Sequence, residues 1–578
     1  MCGMKRITTV LLALVFIASC APTSPVPETD PVVISVLGTN DVHGELIPQA
    51  SRGGIATFSG YVAAVRNARA DDGAVLLVDA GDMWQGTLES NLSEGAAVVE
   101  AYNALGYTAA AIGNHEFDFG PAGPKSIPVS DGDDPQGALR QRLIEIDFPV
   151  LAANLIDTAT NERVAWENLK SSTMVTRSGI NIGIIGVLTE HTLQTTISAN
   201  TVGIRIAPLA ATIIEEAQSL RAAGASLVIV LAHAGSRCTE FDDPFDLSSC
   251  YTAGEIMRVA NDIPPGLVDH IVAGHVHQGI AHVVNGIVIT SSYSNTRAFS
   301  RVDFALDRNN GRVIDRHIFP PQANCVRAPD EDGRCAYEED DSREYASYEG
   351  RPVVPIVEVV TVANRAGEIA AQRKAEEVGV FLETEMTLDE QPESVLGNLF
   401  TDAVLESSDA DISIHNVYGG IRAELQQGDV TYGSLFRVFP FDNRISIIEL
   451  SGLDVRKIIA NQVHNNRRRA GFSGMRVFVS CEAGQMSIQM IKSDGSEIED
   501  AETLRVVAND FLLLGGDDVL TPVIPEGGFN LPNGNPLVRD TLVDWFRNRG
   551  GRMNAAEFRD PENLRWNLPD PLPSDCSF

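Results

Sequence analysis

"AAIGNHEFDFG", residues 110–120, sets a run of small apolar residues directly against Asn114, His115, Glu116 and Asp118. A run that stops so abruptly reads as a buried strand with an amide, an imidazole and two carboxylates at its tip. Other apolar runs end the same way. "VVISVLGTNDVHG" (32–44) delivers Asp41 and His43, and "AVLLVDAGD" (74–82) delivers Asp82. "LVIVLAH" (227–233) ends in His233, and "HIVAGHVH" (270–277) carries His275 and His277. Helix-like segments, such as 54–69 and 207–223, alternate with apolar runs from about 32 to 307, the pattern of a layered α/β domain. In open α/β sheets, ligands bind beyond the carboxyl ends of the strands, so the polar tips are expected to converge there.

One strand ending in Asp, Asn or His is ordinary, because those residues start turns. Five such strands that use five of the chain's eleven histidines are a pattern. The remaining histidines (191, 270, 282, 317, 415 and 464) read as common surface or core residues. Imidazole, carboxylate and an Asn carbonyl, with no thiolate, suit borderline divalent ions such as Zn, Mn, Fe or Co. Seven side chains (Asp41, His43, Asp82, Asn114, His233, His275 and His277) are too many for one tetrahedral ion and suit two ions sharing a bridge. Asp82 is the expected bridge: Gly81 beside it and Gly86 beyond let the backbone come close. Two cations roughly 3.5–4 Å apart can polarise a phosphate ester and clamp both ends of an in-line displacement. His115 follows the Asn114 ligand and is free to face the phosphoryl group or protonate a leaving alkoxide. Asp118 can hydrogen-bond His115 and favour its imidazolium form. Glu116 is expected to face solvent or cap the following turn.

D-x-H, G-D, G-N-H-E, a lone His and G-H-x-H, in that order, resemble the calcineurin-like metallophosphoesterases, and "GNHEFDFG" resembles the 5′-nucleotidase family in particular. The resemblance implies a four-layer α/β-β-α sandwich (32–350) with Asp41, His43, Asp82 and His277 around one ion and Asp82, Asn114, His233 and His275 around the other. Residues 351–380, apolar at helical spacing towards their end, are expected to form a linker helix. From 381 to 578 strands and helices resume with different motifs, which the resemblance makes a second α/β, nucleotide-binding domain. There "HNVYGGIRAEL" (415–425), "GDVTYGSLFRVFPFDN" (428–443) and "ANDFLLLGGDD" (508–518) imply a base clamp of Phe441 and Phe511. They also imply ribose contact by Asp517, phosphate contact by Arg422, and further ligand contacts by Asn416 and Asn443. The chain departs from the family pattern in three places. "DEQPESVLGN" (389–398) lacks an arginine, Val417-Tyr418 lengthens the interval to GGIR, and GGDG reads GGDD. Arg467–Arg469 is expected to be solvent-exposed. The implied activity is removal of phosphate from nucleoside 5′-monophosphates; UDP-sugar or 2′,3′-cyclic nucleotide hydrolysis, or nucleotide binding without turnover, are the alternatives.

The formal charge of −34 argues against nucleic-acid binding, which requires a cationic surface, and leaves a small nucleotide as the expected partner. Lys5 and Arg6 precede an apolar run, Ile7–Ser19, too short to span a bilayer and suited to an export signal. Ile17-Ala18-Ser19-Cys20 resembles the bacterial lipobox, so 1–19 is expected to be removed and Cys20 lipidated. A stiff Pro-rich tether follows (20–31). Ala21, in place of the aspartate associated with inner-membrane retention, favours the outer membrane. Six cysteines then remain, an even number suited to an oxidising compartment. Short loops favour pairing 238 with 250 and 325 with 335, which leaves 481 with 576.

Overall fold

The structure, a computed structural model, describes residues 31–578 except 50–51, 124, 126, 129, 331–334, 336–342, 389–390, 442, 465–468, 526–527, 530–534, 570, 572–575 and 577–578. The leader, Cys20, all but the last residue of the tether and most of the acidic stretch at 329–344 lie outside the described residues.

The first domain is built on strands β1 (Val32–Thr39), β2 (Gly73–Asp79), β3 (Ala109–Ala111), β4 (Val150–Leu151), β5 (Leu169–Lys170), β6 (Ser172–Arg177), β7 (Ile180–Leu188), β8 (Leu227–His233), β9 (His270–Ala273), β10 (Gly279–Val284), β11 (Ile287–Ser292), β12 (Ala298–Leu306) and β13 (Val313–Ile318). One sheet runs β13-β12-β1-β2-β3-β4-β5 and the other β10-β11-β9-β8-β7-β6. β1, β2 and β3 are parallel neighbours, as are β7, β8 and β9, so each group ends on one side.

Alternation along the strands explains the layering. Val32, Ile34 and Val36 of β1, Leu76 and Val78 of β2, and Ala109 and Ala111 of β3 turn to the other sheet. There they meet Ile182 and Ile184 of β7, Leu227, Ile229 and Leu231 of β8, and Val272 of β9. Leu77 and Ala110 face outward, under helices α1 (Gly54–Ala68), α3 (Ala96–Leu105) and α4 (Gly137–Glu145), which flank a short α2 (Leu88–Asn91). Ile185, Val187, Val228, Val230 and Ile271 face α5 (Leu209–Ala222) and α6 (Glu255–Asp262). Side chains at period two cover both faces of each sheet, which gives helix, sheet, sheet and helix in four layers.

Helix α7 (Val357–Lys374) is shorter than the 351–380 segment read from the sequence. Residues 351–352 form a short strand and Ile356 is still extended, while Glu377–Leu382 is a strand paired with Gly428–Thr431 and Gly551–Met553. Val359, Val362, Ala363 and Ala366 of α7 join the first domain's core, whereas Ala370 joins the second's. The second domain adds a four-stranded sheet in the order Ile445–Ser451, Thr503–Asn509, Ile412–His415 and Gly471–Ser473. Disulfides join Cys238 to Cys250 and Cys325 to Cys335, the two pairings that loop length favoured, and Cys481 to Cys576, the pair left over. Arg469 is buried rather than exposed: its guanidinium donates to the Val463 carbonyl and lies over the Trp566 ring. Arg467 and Arg468 lie outside the described residues.

His270 and His415 are core residues. His270 Nε2 meets Thr290 Oγ1 at 2.9 Å, and the His415 ring stacks on Phe400 with centroids 4.1 Å apart. Burial pushes both imidazoles down to about 3 from 6.5. The folded state therefore refuses a proton that the unfolded chain accepts, so stability is lost as pH falls from 6.5 towards 3. Each histidine should cost its domain about 2 kcal/mol between pH 7 and pH 5. Urea unfolding at the two pH values should show His415→Phe losing about one proton's worth less stability than wild type; identical losses would refute the assignment.

Candidate metal centre and substrate cavity

Asp41 and His43 follow β1, Asp82 follows β2, Asn114 and His115 follow β3, His233 ends β8, and His275 and His277 follow β9. The loops turn sharply where the side chains are needed. Asp41 (φ 50°), His43 (φ 51°), Asp82 (φ 59°), His275 (φ 74°) and His277 (φ 59°) all take left-handed backbone. Such a conformation costs a non-glycine residue about 1–3 kcal/mol, so the surroundings must hold it. Bonds between the loops do this. Asp41, His43 and Gly44 N–H groups donate to Gly81, Asp82 and Met83 carbonyls, each at 2.9 Å. The His275 N–H reaches both Asp41 oxygens at 3.0 and 2.9 Å, and Asn40 Nδ2 donates to Asp41 Oδ2 at 2.7 Å.

The seven candidate ligands come together. Ligand-competent atoms of Asp41, His43 and His277 lie within 4.8 Å of one another, and so do those of Asp41, Asp82 and His233. Asn114 Oδ1 stands 3.0 Å from both His233 Nε2 and His275 Nδ1. His43 Nδ1–H donates to the Gln85 carbonyl at 2.8 Å and His233 Nδ1–H to the Ala80 carbonyl at 2.9 Å, which aims both Nε2 atoms inward. His43 Nε2 meets His277 Nε2 at 3.0 Å, and Asp82 Oδ2 lies 3.1 Å from His233 Nε2 and 4.0 Å from His43 Nε2.

Charge follows position. Burial first, and a neighbouring imidazole second, push His43 down to about 3 and His275 down to about 4, which keeps their lone pairs available. Burial raises the Asp82 carboxyl, but His233 and His115 outweigh it and hold it well below the usual range. Burial works against a charge on His233, but Asp82 and then Asp41 outweigh it and raise that imidazole to about 10. Two buried carboxylates, Asp41 and Asp82, with imidazole nitrogens and the Asn114 oxygen converging on them, are a donor set that fits divalent cations in their midst.

His115 and Asp118 stand to one side. His115 Nδ1 meets Asp118 Oδ2 at 2.6 Å, and Asp118 Oδ1 accepts from Thr196 Oγ1 at 2.8 Å. Burial works against a charge on His115, but Asp118 and then Asp82 outweigh it and raise the imidazole to about 9.

Glu116 does not face solvent or cap a turn. It is buried, and its carboxylate accepts backbone N–H groups from Asp82, Met83 and Gly113. Sequence reading also passed over the 195–197 loop, whose Thr196 steadies Asp118; short β-branched residues in a loop carry no pattern that marks them.

A cavity of about 710 Å³ opens between the domains. Asp82, Asn114, His115, Asp118, His275 and His277 line one side, and Asn416, Arg422, Phe441, Asn443, Phe511 and Asp517 the other. Asp41 and His233 lie fully buried beneath. Asn416 Nδ2 donates to Asp517 Oδ2 at 2.6 Å, and Asn443 Nδ2 to Asp510 Oδ1 at 3.0 Å. The Phe511 N–H shares that Asp510 oxygen at 2.9 Å. The Arg422 guanidinium lies 5.1 Å from the Phe441 ring centre, and Arg539 holds the Phe441 carbonyl at 3.1 Å.

Comparison with known proteins agrees with this arrangement. Residues 34–279 match the calcineurin-like phosphoesterase model, and residues 371–523 match the 5′-nucleotidase C-terminal domain. A cell wall protein of Listeria monocytogenes, Lmo0130, is 26% identical over 560 residues, covering 89% of this chain and 68% of that protein. A 5′-nucleotidase of Vibrio cholerae is 24% identical over 548 residues, covering 88% and 90% of the two chains. The crystal structure of a Thermus thermophilus 5′-nucleotidase precursor superposes with a TM-score of 0.64 at 21% identity, covering 90% and 97%. The protein thus carries a calcineurin-like phosphoesterase domain and is a hydrolase of phosphate esters, with Asp and His groups that could hold divalent metal ions. More narrowly, that domain is followed by a 5′-nucleotidase C-terminal domain, the two-domain architecture shared with the 5′-nucleotidase precursor structure.

Asp82→Ala should abolish most metal uptake. His115→Ala should leave metal content within error of wild type and lower kcat about 10²–10⁴-fold. Metal analysis beside steady-state kinetics checks this; equal metal loss in both variants would place His115 among the ligands.

Proposed function

We propose that the protein hydrolyses nucleoside 5′-monophosphates to nucleoside and phosphate. The observation that carries this reading is the single cavity shared by the metal-facing side chains and the Phe441–Phe511 pair. Two divalent ions, of Zn, Mn, Fe or Co type, would be held by Asp41, His43, Asp82 and His277 and by Asp82, Asn114, His233 and His275. Bound there, they would supply Lewis-acid polarisation of the phosphate and activation of a water molecule.

The chain's own groups do the rest. Phe441 and Phe511 stack the base, a contact of about 1–3 kcal/mol per base. Asp517, steadied by Asn416, accepts from the ribose hydroxyls. Arg422 meets the phosphate, the one place where a chain of net charge −34 must present local positive charge. His115, kept cationic by Asp118, stabilises charge growing on the phosphoryl oxygens and donates its proton to the departing ribose oxygen. Asp118 fixes the tautomer that makes this possible.

Residues 389–398 carry no arginine that could meet a phosphate. This departure is the ground for a second reading, hydrolysis of a UDP-sugar or a 2′,3′-cyclic nucleotide on the same scaffold. Rates on AMP, UDP-glucose and 2′,3′-cAMP with Mn or Zn separate the readings: AMP should be turned over fastest. Turnover of another substrate without AMP turnover would replace the first reading, and binding without turnover would replace both. Phe511→Ala should raise KM for AMP about 5–100-fold with a smaller effect on kcat, because ring stacking is lost while the metal centre is untouched.

We further propose that the chain is exported and anchored through a lipidated Cys20, favouring the outer membrane. Among the described residues no helix is long and apolar enough to cross a membrane. Cys20→Ala should move the protein from the detergent phase to the aqueous phase in a two-phase extraction, and unchanged partition would end the lipoprotein reading.

A further inference from the structure

Glu116 is 1% exposed and does not line the cavity, yet it sits among the candidate ligands. Its Oε2 accepts from Asp82 N at 2.8 Å and Gly113 N at 2.5 Å, and its Oε1 accepts from Met83 N at 2.7 Å. Two of these donors belong to the loop after β2, and Gly113 belongs to the loop after β3 that carries Glu116 itself. Asp82 Oδ1 in turn accepts from the His115 N–H at 2.9 Å. The two loops are clasped in both directions, each acid taking an N–H from the other loop.

The clasp acts on the residue with the least freedom to stray. Gly81 (φ 94°) and Asp82 (φ 59°) are both left-handed, and Gly81 N–H ends on the buried Asp79 carboxylate at 2.7 Å. The N–H groups of residues 81, 82 and 83 therefore all end on buried carboxylates. Gly113 comes so close that a Cβ there would lie 2.2 Å from Asp82 Oδ1. With Oδ1 occupied by His115 N–H, Asp82 keeps Oδ2 between His233 and His43, which belong to the two different candidate ion positions.

We propose that Glu116 is a positioning residue whose carboxylate, by clasping the loops of Asp82 and Asn114, lets one aspartate serve both ion positions. The proposal rests on the two-ion reading above. A glutamine at 116 matches the shape but turns an amide NH₂ towards backbone donors, so at least one N–H loses its acceptor. An aspartate keeps the charge on an arm one methylene shorter, unable to reach both loops at these distances.

The test uses full-length mature protein stripped with chelator and titrated with Mn²⁺. It follows binding stoichiometry and affinity, the spin coupling between the two ions by electron paramagnetic resonance, and the thermal midpoint with and without Mn²⁺. Wild type should take two ions with a coupled spectrum. Glu116→Gln should bind the second ion about 10–100-fold more weakly, the range seen when residues that orient metal ligands are lost, and lose the coupling. Its gain in thermal midpoint on adding Mn²⁺ should shrink accordingly. Glu116→Asp should fall between the two and serves where the glutamine variant does not fold. Wild-type affinity and coupling in a folded variant would overturn the proposal. So would failure of both variants to fold in saturating Mn²⁺, since that assigns Glu116 to the fold. A wild type that takes only one ion would instead end the two-ion reading.

Discussion

The centre depends on how closely two sheets approach. Its candidate ligands come from strands of both, and no single loop carries enough donors to hold an ion. Small residues set that approach. A Cβ on Gly38 would lie 2.7 Å from a Val272 methyl, across the sheet interface, and one on Gly186 would lie 2.4 Å from the Leu151 Cβ and carbonyl oxygen. A larger residue at either place would wedge β1 from β9 or β7 from β4. Side chains that must meet within hydrogen-bonding distance would then part. The inner layer of Val, Ile, Leu and Ala is thus also the frame that offsets the left-handed backbone at Asp41, His43, Asp82, His275 and His277.

Much of this frame was legible in the residues, for a definite reason. A buried parallel strand is a short apolar run, and the loop at its carboxyl end is where polarity returns, so run and tip stand side by side in sequence. Each of the seven candidate ligands could be named from that juxtaposition, and the structure brings them to one edge. Glu116 could not be read this way. Its partners are backbone N–H groups, at Asp82 and Met83, more than thirty residues away, and no side-chain pattern records a backbone donor. A lone glutamate beside polar neighbours looks like surface. Arg469 misled for the same reason: within a run of three arginines it reads as solvated, yet the Val463 carbonyl and the Trp566 ring take it inside.

The second domain was legible in its motifs more than in its physics. Phe441 and Phe511 would each pass for core residues, and what distinguishes them is position. Each is only partly buried and lies on the wall of the inter-domain cavity. Asp510 explains part of their placement, since one carboxylate oxygen receives both the Asn443 amide and the Phe511 N–H. Burial raises Asp510 to about 6, so these two donors hold a carboxylate whose charge is only moderately stable.

The two halves also communicate through bonded groups. Gln85 gives its carbonyl to His43 Nδ1–H and its side-chain amide to the carbonyl of Pro440, the residue before Phe441, at 3.3 Å. One residue therefore touches both a candidate ligand and the arm of the aromatic pair. Lys374, at the end of α7, reaches Glu89 of α2 at 2.5 Å, and the close approach of Gly433 to the Lys374 backbone seats the second domain against the same helix end. Neither half forms the cavity alone. On the proposed reading, a phosphate ester small enough to reach the candidate ligands must also satisfy the second domain's loops, so selection among esters would belong to the second domain and reactivity to the edge that carries the candidate ligands.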